Sequence, residues 1–339
     1  MKAAVQEQVD RPLVIKDVPM PQPGRRDAVL KIEACGVCHT DLHLADGFFK
    51  PLGIDVFPII PGHEVVGVVE EVGPDVTHVK RGDRVGAYFF WTCGLCPNCM
   101  GGHETGCSTL MTAPKMHGFT VDGGYAEYVR IPAEHLLRLP DELDFIDAAP
   151  LFCGGVTMYG GFKSAGLRPD QRVAILGIGG LGHLGIQIAK AMGAEVIAIT
   201  SEGKEDWARD LGADKVITRN GDVGQQLLDL GGADVILTTT VEPKDISDVM
   251  RGLRVRGSFV ITGMTADPLS IMPAGFAFAQ HRIIGSIIGT RRDQAELLDL
   301  AIRNDIRPVT EVYPLGEVNK VHDRLRQKKV WLRAVLKPS

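Results

Sequence analysis

The sequence predicts an α/β protein that combines a mostly-β domain with a doubly wound parallel sheet. The chain has 339 residues, about twice the usual size of one compact domain, so we expect two domains. Near residue 150 the pattern changes from short strands with many Gly and Pro residues to a regular alternation of strands and helices. We therefore predict the mostly-β domain over 1–150, the parallel-sheet domain over 151–290, and a C-terminal segment over 291–339 that returns to the first domain.

Short apolar runs predict the strands of the first domain. AVLKIEA at 28–34 alternates like a half-buried strand, and EVVGVVEEV at 64–72 is followed by the turn signal Gly73-Pro74-Asp75. Two further runs, at 83–87 and 126–131, fit the same interpretation.

Near-continuous apolar strands that alternate with helices predict the parallel sheet, with helices on both of its faces. The predicted strands are 172–176, 195–200, 215–218, 233–239, 258–262 and 282–286. The predicted helices are 182–192, 204–211, 223–230, 245–253 and 294–302. A last strand is expected at 330–336.

Composition and charge exclude several classes of protein. Hydrophobic residues make up 45% and charged residues 23%, which is ordinary for a globular protein. A net charge of −5 gives no general attraction for a polyanion, so we expect no nucleic-acid partner. The beginning MKAAVQEQVD resembles no secretion signal, and the apolar runs are too short to cross a bilayer, so we expect a cytoplasmic protein without membrane segments. An odd number of cysteines, seven, suggests reduced thiols or metal ligands.

A glycine-rich turn follows the first predicted strand of the parallel sheet. Gly177-Ile178-Gly179-Gly180-Leu181-Gly182 fits the pattern G-x-G-x-x-G and opens the next predicted helix. In this pattern the first glycine permits the tight turn, the second lets a pyrophosphate approach the backbone, and the third permits close packing of helix and strand. The turn therefore predicts a dinucleotide site, although a plain tight turn is the alternative.

The end of the following strand bears on the choice of cofactor. An NAD site usually has an acidic residue there, whereas this strand ends in Thr200 and Ser201. With Lys204 close by, and Arg209 as a further cation, these hydroxyls suit a 2′-phosphate. Glu202 weakens this prediction, because a carboxylate would repel the phosphate. We expect NADP(H), and NAD(H) remains possible.

Four cysteines within fifteen residues predict a structural zinc site. They are Cys93, Cys96, Cys99 and Cys107. Four thiolates make a closed tetrahedral shell for zinc, and the surrounding glycines indicate a loop that the metal would order. An iron–sulfur cluster and unliganded thiols are the alternatives. His103 lies in the same loop, but four cysteines already complete the shell.

A second group of candidate ligands is spread over the chain. Cys38, His63 and Cys153 would form a Cys2His set with a fourth place for water or substrate, which is what a catalytic zinc needs. Cys35 and Cys38 could by themselves suggest a redox pair, but Cys38 is the one followed by His, Thr and Asp.

Several segments together resemble the zinc-dependent medium-chain alcohol dehydrogenase family over nearly the whole chain. These segments are ACGVCHTDLH (34–43), PGHE (61–64), GDRVG (82–86), the four-cysteine lobe (93–107), FCGGVT (152–157), GIGGLG (177–182) and IIGSIIGTRRD (283–293). The resemblance implies a GroES-like mostly-β catalytic domain plus a Rossmann cofactor domain. It also implies two zinc ions per chain and a homo-oligomer, either dimer or tetramer.

The resemblance also implies roles for single residues. Cys38, His63 and Cys153 match the catalytic zinc ligands, and Glu64 matches an acid that can transiently coordinate the metal. Thr40 matches the hydroxyl that accepts the alcohol proton, and His43 matches the outer end of the proton relay. The remaining matches are Thr157 for a nicotinamide contact, Arg333 for a pyrophosphate contact, and Asp41 for orienting ligands or the adjacent loop.

The expected substrate pocket is apolar. We expect Phe49, Phe89 and Trp91 to line it, which favours primary aliphatic or aromatic alcohols over polyols, whose hydroxyls would need polar partners. Two alternatives remain open: a polyol dehydrogenase, and a non-catalytic zinc-binding or nucleotide-binding protein on the same scaffold.

Overall fold

The computed structural model describes residues 1–240, 242–264 and 267–338 of the chain. The chain divides into two compact units. The first unit contains 1–153, 290–298 and 307–338, and the second contains 154–289 and 299–306. Among the described residues, no helix is long and apolar enough to cross a membrane.

The first unit is built mainly of strands with short helices between them. Its N-terminal elements are β1 (Lys2–Val5), β2 (Val14–Asp17), β3 (Asp27–Val37), α1 (His39–Ala45), β4 (Glu64–Val72), β5 (Arg84–Ala87), α2 (Pro97–Met100), α3 (Ser108–Thr112), β6 (Tyr128–Pro132), β7 (Leu136–Arg138) and α4 (Phe145–Ala148). The second unit comprises α5 (Gly154–Ala165), β8 (Arg172–Leu176), α6 (Gly182–Ala191), β9 (Glu195–Thr200), α7 (Glu205–Asp210), β10 (Lys215–Thr218), α8 (Val223–Asp229), β11 (Ala233–Thr238), α9 (Pro243–Met250), β12 (Leu253–Ile261), α10 (Pro273–Ala279) and β13 (Arg282–Gly285). The chain ends with α11 (Arg291–Arg303), β14 (Thr310–Pro314), α12 (Val318–Arg326) and β15 (Arg333–Lys337).

The main sheet of the first unit has the strand order β14-β15-β3-β4-β5-β7, with β6 also paired to β3. β14 and β15 run parallel, and the other pairs are antiparallel. Alternating apolar residues of β3 and β4, such as Leu30, Ile32, Val65 and Val69, point into a common core and are almost fully buried. Strand β15 pairs with β3, so residues 333–337 lie in the same sheet as residues 27–37.

The second unit is a parallel sheet in the order β10-β9-β8-β11-β12-β13. This is the strand order of a Rossmann fold, in which a ligand binds at the carboxyl ends of the strands where the order reverses. Here the reversal lies between β8 and β11. The fold class expected from the sequence is therefore confirmed, and the predicted strands at 172–176, 195–200 and 215–218 have the observed bounds.

Several described elements differ in extent from the expectation, and two of them have a clear structural reason. β12 begins at Leu253 instead of 258, because its first half includes the exposed Val255 and a register irregularity against β11 between Ala233 and Val235. α11 begins at Arg291 instead of 294, because Thr290 and Asp293 form a reciprocal capping box. The Thr290 N–H donates to Asp293 Oδ2 at 2.8 Å, and the Asp293 N–H donates to Thr290 Oγ1 at 3.1 Å.

Candidate active site

The first unit brings four potential metal-binding side chains together in its interior. The candidate ligand atoms of Cys38, His63, Glu64 and Cys153 all lie within 4.8 Å of one another. The Sγ atoms of Cys38 and Cys153 are 4.0 Å apart. Contact with the Cys153 thiol, together with His63, holds the pKa of Cys38 well below its usual value, which favours the thiolate that metals bind.

Adjacent strands position this set. Cys38 lies where β3 passes into α1, and Glu64 is the first residue of β4, directly opposite Gly36 of β3. A Cβ atom at position 36 would lie 1.8 Å from Glu64 Oε2. Glycine at this position therefore leaves room for the Glu64 carboxylate beside the cysteines.

Asp41 connects two members of the set. Its side chain is 1% exposed, and Oδ1 accepts a hydrogen bond from His63 Nδ1 at 2.9 Å. Oδ2 accepts from the backbone N–H of Cys38, also at 2.9 Å. Although burial opposes it, the Asp41 carboxylate raises the pKa of His63 well above its usual value. This bond occupies Nδ1, so Nε2 is the ring nitrogen that a metal would bind in place of a proton.

Arg333 lies against Glu64 in the same buried region. The Arg333 Nη2 group donates to both oxygens of the Glu64 carboxylate. Both side chains are at most 4% exposed. Burial raises the pKa of Glu64 to about 7, against the opposing charge of Arg333. The Arg333 Nε–H is buried without an acceptor among the described residues. The sequence indicated a pyrophosphate contact for Arg333 but not its ion pair with Glu64.

The two candidate relay residues share one face of α1. Thr40 Oγ1 lies 3.6 Å from Cys38 Sγ, so its hydroxyl borders the ligand set. His43 follows three residues later, a spacing that places both side chains on one side of the helix. The His43 ring stacks on Phe48 at 5.0 Å between ring centroids. Its Nδ1 is buried and has no partner among the described residues.

Aromatic rings cover this region of the first unit. Phe89 lies 4.9 Å from the His63 ring, and Phe49 lies 6.3 Å from His43. Both contact Phe119, at 6.2 and 4.6 Å respectively. The sequence analysis missed Phe119, because a single phenylalanine in a loop carries no local signal of its position.

Trp91 is the third residue that the sequence predicts in the substrate pocket. It packs against the hydrophobic core of the first unit. Among the described residues it has no ring contact with Phe49 or Phe89. Its backbone N–H donates to Lys115 O at 3.0 Å, which ties the backbone at Trp91 to the segment around Lys115. A role for Trp91 in the substrate pocket therefore stays a prediction.

The four cysteines of the lobe at 93–107 form a second cluster. Their Sγ atoms lie within 4.8 Å of one another, and the individual Cys107–Cys93, Cys93–Cys99 and Cys96–Cys107 distances are 3.5, 4.0 and 4.0 Å. A tetrahedral zinc with bonds of about 2.3 Å to sulfur would separate its sulfurs by about 3.8 Å. Backbone N–H groups donate to Cys93 Sγ and Cys107 Sγ, which stabilises thiolates. The set therefore fits a closed, four-thiolate metal site.

A buried ion pair fixes the same lobe, and the sequence analysis missed it. Glu104, between Cys99 and Cys107, binds the Arg291 guanidinium at 2.6–2.8 Å and also accepts from the Arg291 backbone N–H. Arg291 donates further to Glu134 O at 2.8 Å. The two partners are 187 residues apart in sequence, so no local pattern could reveal the pair.

His135 makes the lobe region sensitive to acid. Burial and the Arg291 charge lower its pKa to about 4, although Glu134 and Glu104 oppose this, and its Nε2 accepts from the Thr92 N–H at 2.7 Å. Between pH 6.5 and 4, His135 therefore binds a proton in the unfolded chain but stays neutral in the folded chain. The free energy of unfolding falls as the pH falls across this interval, by about 3 kcal/mol in all. We expect the stability advantage of the wild type over His135→Gln to shrink across this interval in thermal melts. Parallel pH profiles of the two proteins would contradict the assignment.

The glycine turn of the second unit has the properties that a pyrophosphate requires. Gly177 has φ +93°, and a Cβ there would lie 2.7 Å from Thr239 Oγ1. A Cβ at Gly182 would lie 2.0 Å from Gly177 O, whereas one at Gly179 would meet nothing within 4 Å. The turn thus combines tight packing at its ends with open space in front of Gly179 and the N-terminus of α6. Gly180 and Leu181 complete the turn, and a dinucleotide fits this arrangement.

The end of β9 carries the residues expected to select the cofactor. Thr200 is buried as the last residue of β9, Ser201 after it is exposed, and Lys204 is half-buried just before α7. Glu202 accepts a hydrogen bond from Asn220 Nδ2 at 3.1 Å. Arg219, which the sequence analysis did not consider, donates its backbone N–H to Thr200 O at 2.8 Å.

Two further predicted contacts also lie in the second unit. Thr157 is buried in the first turn of α5. Arg209 forms an exposed ion pair with Asp206 at 2.9 Å, one turn away on α7.

Comparison with known proteins agrees with both units. Residues 24–141 match the alcohol dehydrogenase GroES-like domain, and residues 180–303 match the zinc-binding dehydrogenase domain. An alcohol dehydrogenase of Geobacillus stearothermophilus is 43% identical over 343 residues, covering 99% of each chain. A cinnamyl alcohol dehydrogenase 7 of Arabidopsis thaliana is 34% identical over 92% of this chain and 88% of its own. The crystal structure of an alcohol dehydrogenase from Aeropyrum pernix superposes with a TM-score of 0.91 at 33% identity, covering 100% of both chains.

A chain that carries a thiolate-rich metal set in one unit and a Rossmann sheet in the other has the two parts of a zinc-binding dehydrogenase that uses a nicotinamide cofactor. With these matches over its full length, the chain belongs to the zinc-dependent medium-chain alcohol dehydrogenase family, and its activity is that of an alcohol dehydrogenase.

Proposed function

We propose that this protein catalyses reversible hydride transfer between a primary aliphatic or aromatic alcohol and NADP(H), with one catalytic and one structural zinc per chain. The convergence of Cys38, His63, Glu64 and Cys153 on one buried point carries the proposal. In this assignment 1–150 is the catalytic domain, 151–290 is the nucleotide-binding domain and 291–339 belongs with the first. A homo-oligomer is part of the proposal.

The residues that would hold the two metals follow from their donor atoms. Cys38, His63 and Cys153 supply two thiolates and an imidazole, and Glu64 is a carboxylate within reach for transient coordination. Cys93, Cys96, Cys99 and Cys107 supply four thiolates and leave no open position. When bound, the catalytic zinc supplies a Lewis acid that lowers the pKa of an alcohol hydroxyl, and the cofactor accepts the hydride.

The chain's own residues position the substrate proton. Thr40 Oγ1, which borders Cys38, suits the role of accepting the alcohol proton. His43 lies one turn further along α1, and its unpartnered Nδ1 is available to receive a proton and release it to water. Asp41 keeps His63 in the tautomer that presents Nε2.

The aromatic rings support an apolar substrate. Phe49, Phe89 and Phe119 contact one another around His63 and His43 and offer no hydrogen-bond partner to extra hydroxyls. A polyol would leave its hydroxyls unpaired there, at a cost in binding. This favours primary alcohols and aldehydes with aliphatic or aromatic side chains over polyols.

The proposed cofactor contacts are argued from each residue's own surroundings. The turn at 177–182, with Thr157, would contact the dinucleotide, and the unpaired Nε–H of Arg333 supports a contact with an anionic group. Thr200, Ser201 and Lys204 offer hydroxyls and a cation, without an acid at the strand end, to a 2′-phosphate. Glu202 is the carboxylate that favoured NAD(H) in the sequence, and it accepts a hydrogen bond from Asn220 Nδ2.

Lys204 provides the test of the cofactor assignment. We expect the wild type to use NADPH in preference to NADH over a panel of aldehydes, followed at 340 nm. Lys204→Gln should lower kcat/KM for NADPH roughly 10- to 150-fold, because a hydrogen bond to a charged group contributes about 1.5–3 kcal/mol. The value for NADH should change less than about twofold.

Lys215→Gln is the matched control, since Lys215 lies at the opposite end of β10 from the predicted phosphate site. Lys215→Gln should leave kcat/KM unchanged for both NADPH and NADH. A wild type that prefers NADH would overturn the assignment of NADP(H) while leaving the zinc assignment intact.

A further inference from the structure

Tyr125 is a buried residue that bonds to Asp41, the side chain that in turn bonds to His63 and Cys38. None of the roles above includes it. Its side chain is completely buried, and its hydroxyl donates to Asp41 Oδ2 at 2.8 Å. Burial raises the pKa of Tyr125 well above its usual value, so the phenol keeps the proton that it donates.

The Asp41 carboxylate depends on a small number of donors. It accepts from His63 Nδ1, the Cys38 N–H and the Tyr125 hydroxyl. Among the described residues, no lysine or arginine forms an ion pair with it. A buried carboxylate without a cation is stabilised by the hydrogen bonds that it accepts, so each donor also fixes its orientation.

The Tyr125 ring itself is held firmly in place. A Cβ at Gly62, which has φ +94°, would lie 2.4 Å from the ring, so the ring packs directly on the backbone that leads into His63. The His322 ring contacts it from another side at 5.9 Å. The hydroxyl is therefore presented to Asp41 by a rigid support.

We propose that Tyr125 is a positioning residue for the catalytic zinc: its hydroxyl fixes Asp41, which in turn fixes the His63 ring and the Cys38 backbone. The inference rests on the proposed function, because it assumes that these residues hold a metal. Changes to groups that orient a ligand typically weaken metal binding 10–100-fold. Tyr125→Phe removes only the hydroxyl and keeps the packed ring.

Zinc release to a coloured chelator, pyridylazoresorcinol, measures the effect without any turnover. The wild type should release two zincs per chain in separate phases, and Cys38→Ser should lack one of them. Tyr125→Phe should accelerate that same phase 10–100-fold and leave the other phase unchanged. Tyr128→Phe, the same change on β6 at a half-buried site, should release zinc as the wild type does.

A double-mutant comparison separates positioning from packing. In an Asp41→Asn background, Tyr125→Phe should accelerate zinc release from the catalytic site less than about twofold, because the hydroxyl acts through the carboxylate. An equal acceleration in both backgrounds, or wild-type release rates in Tyr125→Phe, would overturn the inference and leave the proposed function standing. A wild type without zinc at the Cys38 set would overturn the proposed function itself.

Discussion

Replacing Cys38 with serine should remove one of two zinc ions per chain and reduce turnover on the order of 10³-fold or more. Cys38 supplies one of the two thiolates of the candidate catalytic set, 4.0 Å from the other. A serine hydroxyl is a poor zinc ligand at neutral pH. Since a Lewis-acidic metal contributes several kcal/mol to the transition state, its loss translates into a large rate effect. Metal analysis and steady-state kinetics measure the two effects independently.

Cys35→Ser is the matched control for this experiment. Cys35 is also completely buried on β3, and its Sγ lies 3.6 Å from the Gly36 carbonyl oxygen, but it is not in the ligand set. We expect it to retain both zincs and nearly full activity. Should Cys38→Ser keep both metals, or turn over at the wild-type rate, Cys38 is not a ligand of a catalytic zinc.

Neutralising Glu104 should destabilise the first unit by about 2–3 kcal/mol. Removing one partner from a fully buried ion pair costs about 3–5 kcal/mol, and the value is reduced here because the Arg291 side chain is 31% exposed. Glu104→Gln keeps the shape and the bond to the Arg291 backbone but removes the charge. The melting temperature should fall by roughly 4–12 °C. Arg291→Met should cost at least as much, because it leaves the 8% exposed carboxylate without its cation.

Glu317→Gln controls for the loss of one negative charge. Glu317 pairs with Lys320 on the surface, where both side chains are more than 40% exposed. Such pairs contribute about 0–1 kcal/mol, so its melting temperature should stay within a few degrees of the wild type. Equal effects of the two substitutions would show that the Glu104–Arg291 pair has no special role in the lobe.

The sequence was sufficient where the chemistry depends on local spacing. The cysteines at 93–107 lie close together in sequence, and a turn at 177–182 between a strand and a helix carries its own pattern. Strands β8 and β9 of the parallel sheet could be predicted because buried parallel strands are apolar throughout. Ligand chemistry and the family resemblance together pointed to the widely separated Cys38, His63 and Cys153, which the structure brings together.

Contacts between distant segments could not be predicted in this way. Tyr125 bonds to Asp41 across 84 residues, and Arg333 reaches Glu64 across 269. Neither residue stands in a pattern that names its partner, because pairing of this kind depends on strand order. The position of Trp91 beside Phe89 and Phe90 in sequence likewise carried no signal of its packing against the core of the first unit.

The pairing of β15 with β3 has a consequence for the order of events during synthesis. Glu64 emerges from the ribosome long before Arg333, the cation that it contacts when both are buried, and Arg333 lies in β15. The sheet of the first unit therefore cannot be completed until residues 333–337 have been translated. The second unit, which contains 154–289, is available to fold earlier. In the nascent chain, the N-terminal unit is thus the later of the two to be finished, and its buried acid is neutralised last.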